Sequence, residues 1–339
     1  MKFKIDDTSC AGMALVDLCK DDPEHEVVTF FDKSPHDIEH LKADTYNQFL
    51  ACGINIPPYT TYDNFVDLVK NLPNQFPYVV KTDKMLLPDL RTVVVKSKQD
   101  AKDYLYPLKP WLVNDHKFIL QDFIQGHEYN VLILMNNKNW VTVGTANDYK
   151  KQFDGDFGIN TYGMGSVSPS RYYHTGTTEV IDKIHRSIIS NYPNYQGFLN
   201  CQFIVDNDQT LWCLEVNARL GDPEFQSIAA GLDSGITHNL NQCFNNQYID
   251  QVCRKDVNAV TIALIDKDWP GRRGVPMVSP VSPQFKIYNS TAEDGSRYGH
   301  VTISNHGNCS FEQLANDIYS WLDTIDTSAF YYRKDIGKM

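Results

Sequence analysis

Apolar positions along the chain switch between a spacing of two and a spacing of three to four, the mark of strands and helices in alternation. FKI (3–5) and EVVTFF (26–31) read as short strands on either side of the apolar stretch MALVDLC (13–19), one β-α-β unit at most. HDIEHLKADTYNQFLACG (36–53) carries Ile38, Leu41, Tyr46, Phe49 and Leu50 at helical spacing, with Gly53 at the C-terminal stop. The strands PYVVKTD (77–83) and RTVVVK (91–96), the polar helix KQDAKDYLYPL (98–108) and the strand KFILQDFI (117–124) follow. EYNVLILM (128–135) and WVTVGTA (140–146), joined by NNKN, read as an antiparallel pair.

Residues 151–175 break the pattern with a long polar, glycine-rich stretch. Loops of that length inside a compact chain are functional or disordered, and its aromatics argue against disorder. Beyond it come the helix TTEVIDKIHRSIISNY (177–192), a second hairpin, GFLNCQFIV–DNDQ–TLWCLEV (197–216), and the helices PEFQSIAAG (223–231) and SGITHNLNQCF (234–244). The strand VNAVTIALI (257–265) leads into a Pro/Gly-rich section (269–283), strands near FKIY (285–288) and HVTI (300–303), and the helix SFEQLANDIYSWLDTI (310–325). Ser310 and Gln313 stand at capping-box spacing for that last helix. The succession predicts an α/β (α+β) fold with mixed or antiparallel sheets rather than an all-parallel one.

Composition narrows the picture. The 339 residues suit about two domains. Hydrophobic residues at 42% supply enough apolar material for a packed core. No apolar run reaches the ~18 residues needed to span a bilayer, and MKFKIDDTSC lacks the apolar core of a signal peptide. Lys and Arg total 31 against 42 Asp and Glu, a formal charge of −11 that disfavours bulk nucleic-acid binding but leaves room for a local basic pocket. The eight cysteines form no CxxC pair and no zinc-like spacing with the histidines, so they read as reduced, structural thiols. The expectation is a soluble, cytoplasmic protein.

The segment richest in chemistry is the second hairpin with its exit, QFIVDNDQTLWCLEVNARLGDPE (202–224). Gln202 and Glu215 converge if the two strands pair, and Asn217, two residues on, shares the face of Glu215. These are hard oxygen donors, suited to magnesium shared with a polyphosphate. Arg219 stands where it could hold a phosphoryl oxygen. The same spacing also describes a solvated polar strand face.

LEVNARLGDPEFQ (214–226) resembles a segment of the glycinamide ribonucleotide synthetases (phosphoribosylamine–glycine ligases), a family of the ATP-grasp superfamily. Three further stretches resemble that family's motifs in order: LQDFIQGHEYNV (120–131), ANDYKKQFDGDFGINTYGMGSVSPS (146–170) and FYYRKDIGKM (330–339). The resemblance implies an ATP-grasp fold with a shortened N-terminal β-α unit (1–40), an ATP-grasp region (41–255) holding a lid at about 78–125, and a C-terminal α+β segment (256–339) closing the site. It implies an ATP-dependent ligase that joins glycine to phosphoribosylamine through an acyl phosphate, with Mg2+ or Mn2+, as a monomer or homodimer without nucleic-acid or membrane partners.

Carried over by position, the resemblance makes Gln202, Glu215 and Asn217 metal ligands and Arg219 the contact to the transferred phosphoryl group. Lys81 reaches the ATP phosphates, Glu128 the ribose hydroxyls, and Asp122, Phe123 and Ile124 the adenine edge. Lys150 and Asp156 fall in the catalytic loop, with Asp154, Asn160, Gly163, Met164 and Gly165 at its substrate end. Asp222 and Glu224 are either substrate contacts or acids at a helix N-terminus.

Three departures qualify the resemblance. TDKMLLPDLRTVVV (82–95) has no glycine where the family has a glycine-rich phosphate loop, leaving Lys84 or Arg91 to supply charge. The N-terminal region is short, and Tyr162 replaces the first glycine of the family's GGMG run. A different amine acceptor, or a non-catalytic nucleotide-binding descendant, are the alternatives these departures raise.

Overall fold

The computed structural model describes residues 9–20, 38–39, 41–83, 92–106, 117–267, 284–289, 297–306 and 309–338. The strands expected at 3–5 and 26–31, the side chains of Lys84 and Arg91, and the stretch 269–283 lie outside these residues.

Helix α1 (Cys10–Cys19) starts at Ser9, whose hydroxyl accepts from the Gly12 amide. Helix α2 (Lys42–Ala51) has no cap of its own at Leu41. Its cap comes from elsewhere: Asp83 Oδ1 accepts from the Ala43 amide at 2.8 Å, satisfying a donor that the helix start leaves open. Strand β1 (Tyr59–Tyr62), helix α3 (Phe65–Lys70), strands β2 (Tyr78–Thr82) and β3 (Thr92–Val95), and strand β4 (Phe118–Asp122) complete a small unit. The helix expected over 98–108 is a turn of α-helix, Lys98–Asp100, opening into a π-turn, Ala101–Leu105. Ala101 and Leu105 both pack into the core of this unit.

The hairpin β5 (Gly126–Met135) and β6 (Trp140–Asp148) forms as its alternation predicts. The stretch that follows is more ordered than expected. It holds β7 (Lys151–Phe153), β8 (Phe157–Asn160) and β9 (Gly165–Ser168). Gly155 and Asp156 turn β7 into β8 with φ of 68° and 58°, the left-handed region that glycine and aspartate tolerate best. Strand β9 reads Gly-Ser-Val-Ser, so it shows no apolar alternation, yet all four residues are buried. Helix α4 (Thr177–Asn191), strands β10 (Gly197–Asp206) and β11 (Leu211–Asn217), and helices α5 (Glu224–Ala229) and α6 (Ile236–Phe244) follow. The chain continues with β12 (Val257–Asp266), β13 (Lys286–Asn289), β14 (Arg297–His306), α7 (Phe311–Leu322) and β15 (Phe330–Tyr331). The capping box at Ser310 and Gln313 is present.

Nine strands make one sheet in the order β11-β10-β5-β6-β9-β12-β14-β13, with β15 added to β12. The small unit is a four-stranded sheet, β1-β4-β2-β3. Every ladder among the described residues is antiparallel. Period-two alternation sends Val131, Ile133, Leu199, Cys201 and Phe203 to one face of the large sheet, against Tyr46 and Phe49 of α2 and Ile181, Ile184 and Ile188 of α4. Each fully buried isoleucine contributes about 2–3 kcal/mol relative to exposure. Leu132, Leu134 and Phe198 point to the other face, against α1, α5 and α6. Helix α7 covers β12 and β14.

A strap from the C-terminal segment ties the β7–β8 hairpin to this frame. Arg333, 1% exposed, forks onto Asp335 with two bonds of 2.7 Å and reaches Asp156 Oδ1 at 2.9 Å and the Lys151 carbonyl at 3.0 Å. Asp335 Oδ2 in turn accepts from the Gly155 amide, and Asp154 Oδ1 accepts from the Lys334 amide.

The cap that Asp83 lends to α2 gives a direct expectation. Asp83→Ala lowers stability by about 1 kcal/mol in urea denaturation, whereas Asp83→Asn, which keeps an acceptor, loses little.

Candidate active site

The faces set by strand alternation explain how the site arises. Along β5, β10 and β11 the positions that share a face with Leu132 and Phe198 turn polar toward one end: Glu128, Asn130, Asn200, Gln202, Glu215 and Asn217. The register sets Asn130, Gln202 and Glu215 side by side across three strands, and Asn200 beside Asn217. The convergence of Gln202 with Glu215 expected from the sequence is therefore present, with a bulge just after Gln202. This polar floor lies under a cleft of about 750 Å³ whose other wall comes from the small sheet through Val79, Lys81, Thr92, Val94, Lys96 and Gln121.

Positive charge concentrates there despite the chain's net −11. Lys42, at the start of α2, places Nζ 3.0 Å from Glu215 Oε2. Lys81, buried on β2, donates to the Tyr46 hydroxyl at 2.9 Å and to the Leu214 carbonyl at 3.1 Å. Lys150 lies 3.2 Å from Glu128 Oε2, which also accepts from Gln202 Nε2 at 2.9 Å. Burial alone pushes the Glu215 carboxyl up, but Lys42, Lys81 and Lys150 together outweigh it and hold it well below the usual glutamate range. Burial pulls the Lys81 ammonium down, opposed by Glu215. Burial works the same way on Lys150, but Glu128, Asp148 and Glu215 prevail and hold it above its ordinary value. Burial raises Glu224, whose Oε1 accepts from Asn130 Nδ2 at 3.0 Å.

Of the residues expected from the sequence, Lys81, Asp122, Phe123, Ile124, Glu128, Lys150, Asp156, Asn160, Gln202, Glu215, Asn217, Arg219, Asp222 and Glu224 all line the cleft. Arg219 donates Nε to Glu39 Oε1 at 3.2 Å. Asn160 spans to the small sheet through the Thr92 carbonyl at 3.3 Å. Tyr162 also lines the cleft. Asp156 borders the cleft while its carboxylate is held by Arg333.

Asp154 belongs to the strap rather than to the cleft lining. Gly163, Met164 and Gly165 lie beneath the cleft wall: Met164 has no exposed surface and Gly165 pairs with Ile262. Gly163 has a φ of +117°, and a Cβ there would stand 2.3 Å from Pro223 Cδ, so that position requires glycine.

Sequence reasoning missed Lys42, Asn130, Asn200 and Arg333. Lys42 had a signal: it stands four and seven residues before Tyr46 and Phe49, a lysine on the apolar stripe of its helix. Asn200 had one too, since it shares a face with Gln202 by the period of two that links Glu215 to Asn217.

Among the described residues no three His, Cys, Asp or Glu side chains cluster as a ready-made metal site. The donor set is instead one carboxylate, Glu215, with the amides of Asn217 and Gln202. Beside Asn217, the buried Asn200 Oδ1 has no hydrogen-bond partner. Such oxygens suit a hard divalent cation whose remaining ligands come from a polyphosphate, so the residues present fit one.

A small antiparallel sheet set over the polar end of a larger one, with lysines converging on the cleft between them, defines an ATP-dependent ligase of the ATP-grasp class. The chain belongs to the phosphoribosylglycinamide synthetase family: residues 43–225, just over half of its length, match that family's ATP-grasp (A) domain. The phosphoribosylamine–glycine ligase of Streptococcus suis is 26% identical over 308 residues, 84% of this chain and 72% of the relative. That of Leptospira interrogans is 23% identical over 301 residues, 82% and 70% of the two chains. In fold, the chain resembles phosphoribosylamine–glycine ligase from Thermotoga maritima with a TM-score of 0.72 at 21% identity, covering 88% of this chain and 80% of that one. Biotin carboxylase from Campylobacter jejuni gives 0.62 at 14% identity, covering 87% and 68%.

The lowered Glu215 carboxyl fixes a sign. Its stabilising contribution is complete above the usual 4.5 and is lost as pH falls from there through the depressed folded value. Glu215→Gln therefore costs about 2 kcal/mol at neutral pH, the buried-pair cost reduced for a carboxylate with some exposure. That deficit shrinks as pH drops below the ordinary glutamate range, which denaturation at a series of pH values would record.

Proposed function

We propose that this chain joins glycine to phosphoribosylamine in an ATP-dependent reaction, as its relatives' names describe. The observation that carries the reading is the meeting of Lys42, Lys81, Lys150 and Arg219 with the oxygen donors Gln202, Glu215 and Asn217 in one cleft. Lys42 and Lys81 face the phosphates of ATP, Glu128 the ribose hydroxyls, and Asp122 through Ile124 the adenine edge.

Glu215, Asn217 and Gln202 would hold Mg2+, which when bound offsets polyphosphate charge. Arg219 steadies the phosphoryl group as a glycine carboxylate oxygen attacks it, giving an acyl phosphate and ADP. The amine nitrogen then attacks the acyl carbon, and the C–O bond to phosphate breaks with its electron pair. Lys150, paired with Glu128, supplies fixed positive charge to both steps. Asn160 and Asp222 face the substrate end, and Asp156, Asp154 and the Gly163–Gly165 turn shape it from the loop and from beneath. The free state of all eight cysteines suits the reducing cytosol, where we place the protein.

Tyr162 supports a second reading. Its position on the cleft lining, where the family has a glycine, narrows the substrate end. An amine acceptor other than phosphoribosylamine would accommodate that bulk.

Phosphate release from Mg-ATP tests both readings. Release that requires glycine and phosphoribosylamine together, and that falls at least about hundredfold in Arg219→Ala, is the expected result. Release with glycine and only another amine selects the second reading. No release and no ATP binding by calorimetry overturns both.

A further inference from the structure

At the cleft edge, Asp222 closes a ring with two buried polar side chains, Gln226 and His300, that the reaction described above leaves unused. His300 on β14 has no exposed surface. Its Nε2 lies 3.6 Å from Asp222 Oδ1, and its Nδ1 lies 3.4 Å from Gln226 Nε2. Gln226, on α5 and equally buried, donates Nε2 to Asp222 Oδ1 at 2.7 Å.

The hydrogens in this ring can be placed by elimination. An amide nitrogen has two hydrogens and accepts none. One goes to Asp222, so the other faces His300, whose Nδ1 must then be an acceptor. The imidazole hydrogen sits on Nε2, directed at Asp222. Gln226 thus hydrogen-bonds the carboxylate oxygen, and His300 turns its N–H toward the same oxygen from 3.6 Å, beyond hydrogen-bond reach.

The Gln226 amide keeps this orientation although its own Oε1 is buried without a hydrogen-bond partner. Turning the amide over would aim an oxygen at the carboxylate instead. His300 has Ala263 and Tyr288 as register partners on its two neighbouring strands. Asp222 itself borders the cleft. A carboxylate at the edge of a reaction cleft, with one oxygen hydrogen-bonded from inside by the buried Gln226 and the His300 ring standing 3.6 Å from the same oxygen, has the orientation of a base held in place.

We propose that Gln226 and His300 position Asp222 to take the proton that the attacking amine gives up. This deepens the ligase reading and rests on it. As the nitrogen lone pair forms the C–N bond and the C–O bond to phosphate breaks, the electron pair leaves on phosphate. The amine proton passes to the Asp222 carboxylate. Asp222 is the catalytic group; Gln226 and His300 are positioning residues.

The test separates activation of glycine from transfer to the amine. The full-length chain and its His300→Leu, His300→Gln and Gln226→Leu variants are given Mg-ATP and glycine. Each is assayed with hydroxylamine, a small reactive nucleophile that captures acyl phosphate with little need of a base, and in parallel with phosphoribosylamine. The expected result is hydroxamate formation within about twofold of wild type, with amide formation at least about tenfold slower in His300→Leu and Gln226→Leu. His300→Gln, which can still present an N–H to Asp222, recovers most of the loss.

Equal loss of both products in the variants, with melting temperatures showing that they fold, would mean a structural role and overturn the proposal. So would unchanged amide formation. If His300→Leu does not fold, Gln226→Leu and His300→Gln decide the outcome. A wild-type chain that forms neither product rejects the ligase reading itself, and this inference with it.

Discussion

Glu215 stands at the edge of the large sheet with three ammonium groups around it, each brought by a different part of the fold. Lys42 comes from the start of α2, Lys81 from the small sheet, and Lys150 from the chain leaving β6. Remove the carboxylate, and three partly or wholly buried cations face one another across the cleft. Remove any one lysine, and the link between Glu215 and that element goes with it. This charge balance adds to the direct bond from Lys81 to the Leu214 carbonyl in linking the two sheets, and the same charges line the cleft. Buried ion clusters of this kind are weak sources of net stability but strict about geometry, which is what a site for a flexible, highly charged substrate requires.

The cluster also explains how an acidic protein can receive a polyanion. Overall charge opposes the approach of ATP, but a cleft with low-dielectric walls focuses the field of the groups lining it. Tyr46 shows how closely this is built. Its hydroxyl accepts from Lys81 and donates to the Leu214 carbonyl, so one phenol joins α2, the small sheet and the strand that carries Glu215. Burial raises that phenol above its usual range, with Lys42 pulling the other way and Glu215 adding to the rise, keeping it a neutral link.

Much of this was legible before the structure. Alternation located β5, β6, β10 and β11 and thereby the convergence of Gln202 with Glu215, because a period of two leaves little freedom about which side chains share a face. The family's motifs then gave direction to residues whose spacing alone favoured a solvated polar strand face. What stayed hidden depended on distant partners. Nothing local says that Asp83 caps α2, that Arg333 reaches Asp156, or that the unpatterned β9 is a central strand. The resemblance puts Gly163 to Gly165 at the substrate end, and the structure adds a local reason for the glycines. They answer to close packing against Pro223 and the carbonyl of Thr261.

The strap adds a consequence for how the molecule comes together. Its bonds join residues 177 to 182 positions apart: Arg333 with Asp156 and the Lys151 carbonyl, and Asp335 and Lys334 with the hairpin at Gly155 and Asp154. Contacts at such separation must overcome loop-closure entropy before they give anything back, and they lengthen the mean contact order on which folding speed depends. The hairpins β5–β6 and β10–β11 close over turns of a few residues and carry no such burden. The expected order of events is a polar floor that forms early and a hairpin wall that locks late, so that the oxygen donors are in place before the β7–β8 hairpin is fastened.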